Sequence, residues 1–313
     1  MRLSKETGAR ESQVTPVAQQ HAPKKALLGQ ALVLVLSLIW GLAFVAIRRA
    51  VFELSPASLT LIRWLIVAVS FLALAPLFGR PKVHFDKQDL PRLLVVSFAS
   101  VGGYHLSLNY AETIVSSGLA GLLISFGPVF AVLLSAILLK ERVRLKLAVA
   151  LALAIAGAFV LSLSSSDFSY AYLTGPLAVI LAAFMYALFA VTSKPLVVKY
   201  GAFPIAIWAA AIGTLMILPL ISPQFIVQVL ALSAVGWVSV LYLAILSTVV
   251  ANMILYTLIG KRAVSTLSVQ LYLIPIVSVV GGILLLGEVI TVFTVIGGAL
   301  LLVGVALATS VKK

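Results

Sequence analysis

Long apolar runs follow one another along almost the whole chain and are separated by short polar segments. Each run is roughly 20 residues long, the length at which an α-helix crosses the hydrocarbon core of a bilayer. We therefore expect an all-α integral membrane protein with ten transmembrane helices, in which consecutive helices pack antiparallel. The predicted spans lie near residues 26–47, 57–78, 93–112, 117–139, 147–164, 175–193, 204–221, 234–257, 264–286 and 292–310.

The composition supports this class and excludes an ordinary soluble domain. Hydrophobic types make up 62% of the 313 residues and charged types 10%, whereas roughly a quarter of the residues in a soluble domain are charged. The net charge of +13 would suit nucleic acid if the basic residues formed a patch, but they punctuate the apolar runs instead. We therefore expect a lipid bilayer as the surroundings and no nucleic-acid partner.

The basic residues also predict an orientation. An N-terminus in the cytosol places almost all of the 22 Lys and Arg residues in cytosolic segments, and only Arg48 and Arg49 in outside loops. This is the positive-inside pattern of membrane proteins, so both termini should be cytosolic. Residues 1–25 are polar and lack an apolar core, which predicts a disordered cytosolic tail rather than a cleaved signal peptide.

The sequence contains an internal repeat. The segment PVFAVLLSAILLKE, Pro128–Glu141, returns as PIVSVVGGILLLGE, Pro275–Glu288, at an offset of 147 residues. The copies lie five predicted spans apart, and because this number is odd the second copy must cross in the opposite direction. Apolar helices resemble one another through composition alone, but Pro, Gly and Glu at matched offsets favour a true repeat. We predict two five-helix halves of inverted topology, residues 26–164 and 175–310, with a substrate site between them.

With this ordered set of features, the chain resembles the EamA type of the drug/metabolite transporter superfamily. The resemblance rests on WGLAFVAIRRAVFELSPASLTLIRW, which opens the first repeat, and on the P…LLKE and P…LLGE segments in the fourth span of each repeat. It covers residues 26 to 310. It implies a carrier that moves small metabolites, amino acids or drugs, often outward. It also implies a multi-pass protein of a bacterial inner (plasma) membrane. Cargo varies within such a family, so the resemblance does not identify it.

Two prolines inside predicted spans predict helix kinks. Pro128 and Pro275 each lack the N–H that a helix would bond to the preceding turn, and the freed carbonyl should face protein or a water-filled cavity. The kinks either shape a central cavity or serve helix packing only. Ser125 shares a helix face with Pro128, and Tyr272 shares one with Pro275. We expect Ser125 and Tyr272 to line the cavity, and Gly121 to permit close helix packing.

Polar and aromatic side chains within the spans are candidates for a substrate site, because polar groups are costly in hydrocarbon. The third span, GGYHLSLNYAET, is the most polar, and His105 and Asn109 in it have polar repeat partners. The predicted substrate-binding residues are Trp40, Phe44, Tyr104, His105, Asn109, Ser125, Tyr186, Asn252, Tyr256 and Tyr272. His105 and Glu112 are also candidates for proton coupling, and a neutral, hydrogen-bonded helix contact is the plainer alternative for His105.

Three charged residues are expected to have structural roles. Arg63 in the second span should pair with Glu53 or Glu112, with snorkelling or the binding of an anionic group as alternatives. Glu141 and Glu288 each stand between two predicted helices. A carboxylate there can accept hydrogen bonds from the free N–H groups that open the following helix, so we expect both to be helix caps.

The predicted site is aromatic, hydroxyl and amide in character, which suits a neutral or zwitterionic solute with an apolar part. We expect an alternating-access exporter of amino acids or similar solutes, and a multidrug or other metabolite exporter with proton antiport is the alternative. An intramembrane enzyme is a distant alternative, because it needs clustered carboxylates, a Ser–His–acid set or metal ligands, and the sequence shows no such motif. No cofactor or metal is expected, and monomer and homodimer both stay open.

Overall fold

The structure is a computed structural model of the chain. It describes residues 22–74, 76, 85–139, 145–164, 170–260 and 270–310. Within these ranges every regular element is a helix, so the all-helical prediction is confirmed for this part of the chain. Glu141, the predicted tail up to residue 21 and the side chain of Tyr256 lie outside the described residues.

The α-helices follow the order of the apolar runs. They are α1 (Ala22–Ala50), α2 (Pro56–Leu74), α3 (Leu90–Ser97), α4 (Tyr104–Ala111), α5 (Ser117–Leu123), α6 (Gly127–Leu139), α7 (Leu145–Ser162), α8 (Tyr170–Tyr200), α9 (Ala202–Ile217), α10 (Pro223–Leu230), α11 (Ala234–Leu241), α12 (Ala251–Gly260), α13 (Gln270–Leu286) and α14 (Val292–Thr309). α1 begins before its predicted start at residue 26, and the short helix α10 lies where the sequence predicts a loop.

Three α-helix pairs are joined without a break by tighter or wider helical turns. A 3₁₀ turn, Ile124–Phe126, joins α5 to α6. Two π-helical stretches, Phe98–Gly103 and Tyr242–Val250, join α3 to α4 and α11 to α12. Such turns change the direction in which side chains and carbonyl groups point, and they are frequent at functional sites.

Seven helical stretches of the described residues are long and apolar enough to cross a membrane. They are Gly29–Ala50, Pro56–Leu74, Ser117–Leu134, Ala171–Tyr200, Ala202–Leu220, Ala234–Leu255 and Val292–Thr309. Ala148–Ser162 and Tyr272–Leu286 are apolar but shorter, and the polar third predicted span is outside both sets. The chain is therefore a multi-pass membrane protein, and the full number of ten spans stays a prediction.

Helices α7 and α14 pack closely through glycine. A Cβ added to Gly157 would lie 2.4 Å from the backbone nitrogen of Leu301, and one added to Gly304 would lie 2.7 Å from the backbone nitrogen of Ala154. Small residues let two helix backbones approach in this way and gain dispersion contacts along the interface. Gly157 and Gly304 also stand at the repeat offset of 147 residues.

Glu288 caps a helix, but the prediction that it caps the following helix is wrong. Its carboxylate accepts hydrogen bonds from the backbone N–H of Ser117, at 2.7 Å, and of Gly118, at 3.1 Å, so it lies at the start of α5. The following helix, α14, is capped by Thr291 instead. Gly287, with a φ of +67°, ends α13 in a left-handed conformation, and this turn directs Glu288 towards α5.

Glu53 makes a similar contact at the start of α11. Its two carboxylate oxygens accept hydrogen bonds from the backbone N–H and the hydroxyl of Ser233, both at 2.8 Å, and Arg49 lies 2.7 Å from one of them. The backbone hydrogen bond from Ser233 is the main reason that the pKa of the Glu53 carboxyl lies below its ordinary value of 4.5. Each of the two carboxylates thus connects one predicted half to a helix start in the other, at the predicted outer end.

Candidate substrate-binding cavity

A cavity of about 280 Å³ lies among helices of both predicted halves. Its walls come from α1, α2, α4, α6, α8, α12 and α13, together with both π-helical stretches and the 3₁₀ turn. Seven of the ten predicted substrate-binding residues line it, namely Trp40, Phe44, Tyr104, His105, Ser125, Tyr186 and Asn252. Pro128 and Pro275 line it as well, so the proline-containing parts of α6 and α13 face this space, and the predicted kinks stay a prediction.

Two of the predicted binding residues are not on the cavity wall. Asn109 is fully buried, and its amide donates a hydrogen bond to the hydroxyl of Thr60 at 2.8 Å. One turn beyond His105, α4 meets the start of α2, and Asn109 therefore joins these two helices instead of facing the cavity. Tyr272 is partly buried and lies outside the lining, although Pro275 one turn later belongs to it.

His105 is held in one orientation by its own helix. Its Nδ1 lies 2.8 Å from the carbonyl oxygen of Ser100, and because a carbonyl only accepts, Nδ1 must donate. The ring packs edge-on against Trp64, with ring centroids 5.1 Å apart, and against Tyr104, at 4.7 Å. In this arrangement Nε2 is the ring nitrogen that a ligand or a proton can still use.

The π-helical stretches supply carbonyl oxygens to the site. A π turn breaks the regular α-helical pairing, which leaves carbonyl groups available to side chains. The carbonyl of Ser100 in the first stretch accepts from His105, and the carbonyl of Ser247 in the second accepts from Nε1 of Trp40 at 3.1 Å. Ser100 and Ser247 both line the cavity and stand at the repeat offset of 147 residues.

Arg63 lies on the cavity wall, and the prediction that it pairs with Glu53 or Glu112 is wrong. Its Nε and Nη2 donate to the hydroxyl of Thr248 at 3.3 and 3.0 Å. The carboxylate of Glu53 instead pairs with Arg49 and accepts a hydrogen bond from Ser233. The reason is position, since Arg63 lies two turns into α2 and faces the π-helical stretch, whereas the glutamates lie at the helix ends.

Glu112 is fully buried but does not line the cavity. Neither of its carboxylate oxygens has a hydrogen-bond partner among the described residues. Its backbone carbonyl accepts from the guanidinium of Arg48, which places a positive charge close to this end of α4. The proton-coupling role of Glu112 stays a prediction.

Sequence reasoning missed five polar or aromatic residues of the wall, namely Trp64, Ser100, Phe189, Ser247 and Thr248. The only signal available for the two serines is their matched repeat offset. In total the described lining carries aromatic rings, hydroxyl groups, one amide, one imidazole and the guanidinium of Arg63, without a carboxylate or a lysine. The wall therefore carries a single fixed cation and offers mainly hydrogen-bond donors and apolar surface.

Comparison with known proteins gives a consistent family. The EamA-like transporter family matches the chain twice, over residues 27–163 and 173–310. An uncharacterized transporter of Archaeoglobus fulgidus is 33% identical, covering 85% of this chain and 93% of that protein. A probable terminal-alkyne amino-acid exporter of Streptantibioticus cattleyicolor is 31% identical, covering 88% and 91%.

More distantly related proteins agree with this family assignment. A probable amino-acid metabolite efflux pump of Escherichia coli is 27% identical, covering 87% of this chain and 92% of that protein. One solved crystal structure, at 21% identity, superposes with a TM-score of 0.57 and covers 91% of this chain and 97% of its own, which shows a shared fold. The expectation of a transporter instead of an enzyme is confirmed by the family and by these names.

Proposed function

The chain belongs to the EamA-like transporter family, and from this premise we propose that it is an alternating-access exporter of amino acids or similar neutral or zwitterionic solutes. The observation that carries the proposal is the cavity, whose volume of about 280 Å³ and aromatic and hydroxyl walls suit a small solute with an apolar part. Relatives named as an amino-acid exporter and an amino-acid metabolite efflux pump support the outward direction and the cargo class.

We further propose that ten spans form two inverted five-helix halves, residues 26–164 and 175–310. The family matches once in each half. The two π-helical stretches support the repeat, because they occupy corresponding positions in the third span of each predicted half. In such carriers the substrate site lies between the halves, which rock against each other around it.

A bacterial inner-membrane location with both termini in the cytosol completes the proposal. It is supported by the Lys and Arg residues, which gather in the segments predicted to be cytosolic. Proton antiport is an alternative form of the same function, and it is favoured by the buried carboxylate of Glu112, which has no hydrogen-bond partner among the described residues.

Transport by purified protein tests the proposal. Proteoliposomes should take up radiolabelled phenylalanine or leucine above empty vesicles. Trp40→Ala should slow this uptake roughly tenfold, which corresponds to about 1.4 kcal/mol of lost binding, because it removes an aromatic wall and its bond to Ser247. Trp208→Ala is the matched control, since Trp208 is partly exposed on α9 outside the cavity.

Uptake no greater than in empty vesicles would refute the proposed cargo class. Equal losses in both variants would show that the effect of Trp40→Ala is not specific to the cavity. A pH gradient imposed across the membrane of the same vesicles distinguishes two forms of transport. The gradient would drive uptake by proton antiport and would leave the uptake rate of simple exchange unchanged.

A further inference from the structure

Arg63 is a buried cation without an anionic partner among the described residues. Its exposed fraction is 5%, and its hydrogen bonds in that part of the chain go to the neutral hydroxyl of Thr248. A charge placed in a membrane interior is costly unless another group pairs with it. The part of the cavity lining that the structure describes offers no such group, since it contains no carboxylate.

The guanidinium of Arg63 has N–H donors without an acceptor among the described residues. Of its five N–H groups, one on Nε and one on Nη2 are directed at Thr248, which leaves both N–H groups of Nη1 and the second of Nη2. The indole N–H of the neighbouring Trp64 is also buried without an acceptor in the described part of the protein. This side of the cavity therefore presents an excess of donors over acceptors.

Thr248 holds the guanidinium in place. Its hydroxyl donates to the carbonyl of Leu243 at 2.8 Å, within the π-helical stretch, so that its lone pairs face Arg63. The unbonded edge of the planar guanidinium is thereby fixed, and such an edge matches the two oxygens of a carboxylate.

We propose that Arg63 is the carboxylate-binding residue of this cavity, so that every solute the protein carries must contain a carboxylate. The inference rests on the proposed export of amino-acid-like solutes, names the carboxylate as the group recognised, and admits anionic carboxylates beside zwitterions. A single cation suits one carboxylate better than a phosphate, which usually meets several cations. Because no acidic side chain among the described lining residues can receive an ammonium group, the amino group of the cargo is dispensable.

Ligand binding tests this without relying on transport. Trp40 and Trp64 line the cavity, so quenching of tryptophan fluorescence in purified protein can report binding. Phenylalanine and N-acetylphenylalanine should both bind, and phenylalaninamide and phenethylamine, which lack the carboxylate, should bind at least tenfold more weakly. Arg63→Gln should abolish this preference, and Arg63→Lys should keep part of it because the charge remains.

Arg92→Gln is the matched control, since Arg92 is exposed on α3 outside the cavity, and it should leave the preference unchanged. Because Arg63→Gln removes a buried group, its fold is checked by monodispersity and thermal unfolding, and Arg63→Lys serves as the second variant. Equal binding of phenylalanine and phenylalaninamide, or an unchanged preference in a folded Arg63→Gln protein, would overturn the inference.

The same measurements separate the two proposals. If carboxylates bind through Arg63 but are not moved in proteoliposomes, the export proposal fails and the carboxylate site stands. If phenylalanine is transported and phenylalaninamide is transported equally fast, export stands and the carboxylate site fails. Absence of binding by all four compounds would refute the site.

Discussion

At the scale of single residues, most polar groups of the cavity are already satisfied by the protein. Nδ1 of His105 and Nε1 of Trp40 donate to backbone carbonyls, and the amide of Asn252 donates to the carbonyl of Thr248 at 2.6 Å. These residues can offer cargo their ring faces and remaining atoms, whereas Arg63 has free N–H groups. In the proposed exporter, recognition of charge and recognition of shape would therefore depend on different residues.

Polar residues inside apolar runs were predictable as site candidates, because they are conspicuous in such a sequence. Their partners were not predictable. Arg63 was expected to meet a glutamate, yet it contacts Thr248, 185 residues away along the chain. Which hydroxyl faces a given guanidinium depends on helix packing and on the π-helical turn, and neither leaves a sequence signal that a single chain reveals.

The lowered pKa of Glu53 gives a pH dependence of stability. Because the pKa of the carboxyl is lower in the folded protein than its ordinary value of 4.5, its contribution is present above that value and is lost as the pH falls through the lowered pKa. Glu53→Gln should lower the Tm by about 2 °C at pH 7, and the two proteins should converge in acid, once the pH is below the lowered pKa of Glu53. A difference that persists in acid would show that the charge is not responsible.

At the scale of helices, the prolines and the π-helical stretches interrupt the regular α-helical hydrogen bonding by different means. Pro128 frees the carbonyl of Ile124, as predicted, but that carbonyl accepts from the N–H of Gly127 in a 3₁₀ turn and does not need water or another helix. The π-helical stretches contain no proline and could not be predicted, since no residue type enforces a π turn.

From the close contact between α7 and α14 we expect a single added methyl group to destabilise the protein. Gly157→Ala should destabilise the detergent-solubilised protein by about 1–3 kcal/mol, because the new Cβ would lie 2.4 Å from backbone atoms of α14 and overpacking costs energy on that scale. Gly102→Ala is the matched control, since its Cβ would meet Phe98 at an ordinary 3.5 Å. Equal unfolding temperatures for the two variants would contradict this account of the helix pair.

At the scale of the whole molecule, reciprocal contacts join the two predicted halves at the predicted outer end. Glu53 of the first half binds the start of α11 in the second, and Glu288 of the second half binds the start of α5 in the first. The two halves are themselves a prediction from the sequence repeat. The contacts between them were not predictable, because a loop carboxylate can reach any nearby helix start.

These contacts should hold the outer end closed. Glu288→Gln replaces a charged acceptor by a weaker neutral one, at a cost of about 1 kcal/mol, which should raise outward opening roughly fivefold. The chain has no Cys, so a single cysteine at Ile47, which lines the cavity and is 2% exposed, can be labelled from outside with a membrane-impermeant maleimide. The labelling rate should increase in the Glu288→Gln background.

A cysteine at Phe52 provides the control for this measurement. Phe52 is 64% exposed in the loop after α1, so its labelling should be equally fast in the wild-type and the Glu288→Gln backgrounds. If the rate at position 47 also stays the same in both backgrounds, the carboxylate contacts do not close the cavity.

The π-helical stretches have a consequence for how such a protein can change. A π turn holds about one residue more than an α turn, so the loss of one residue within Tyr242–Val250 can be absorbed by a return to α-helix that leaves the following helix in register. Such a deletion would keep Asn252 near its present face, but it would restore the regular backbone pairing and withdraw the carbonyl of Ser247 from Trp40. A single codon lost could thus remove a backbone acceptor from the cavity wall without redesigning the bundle that carries it.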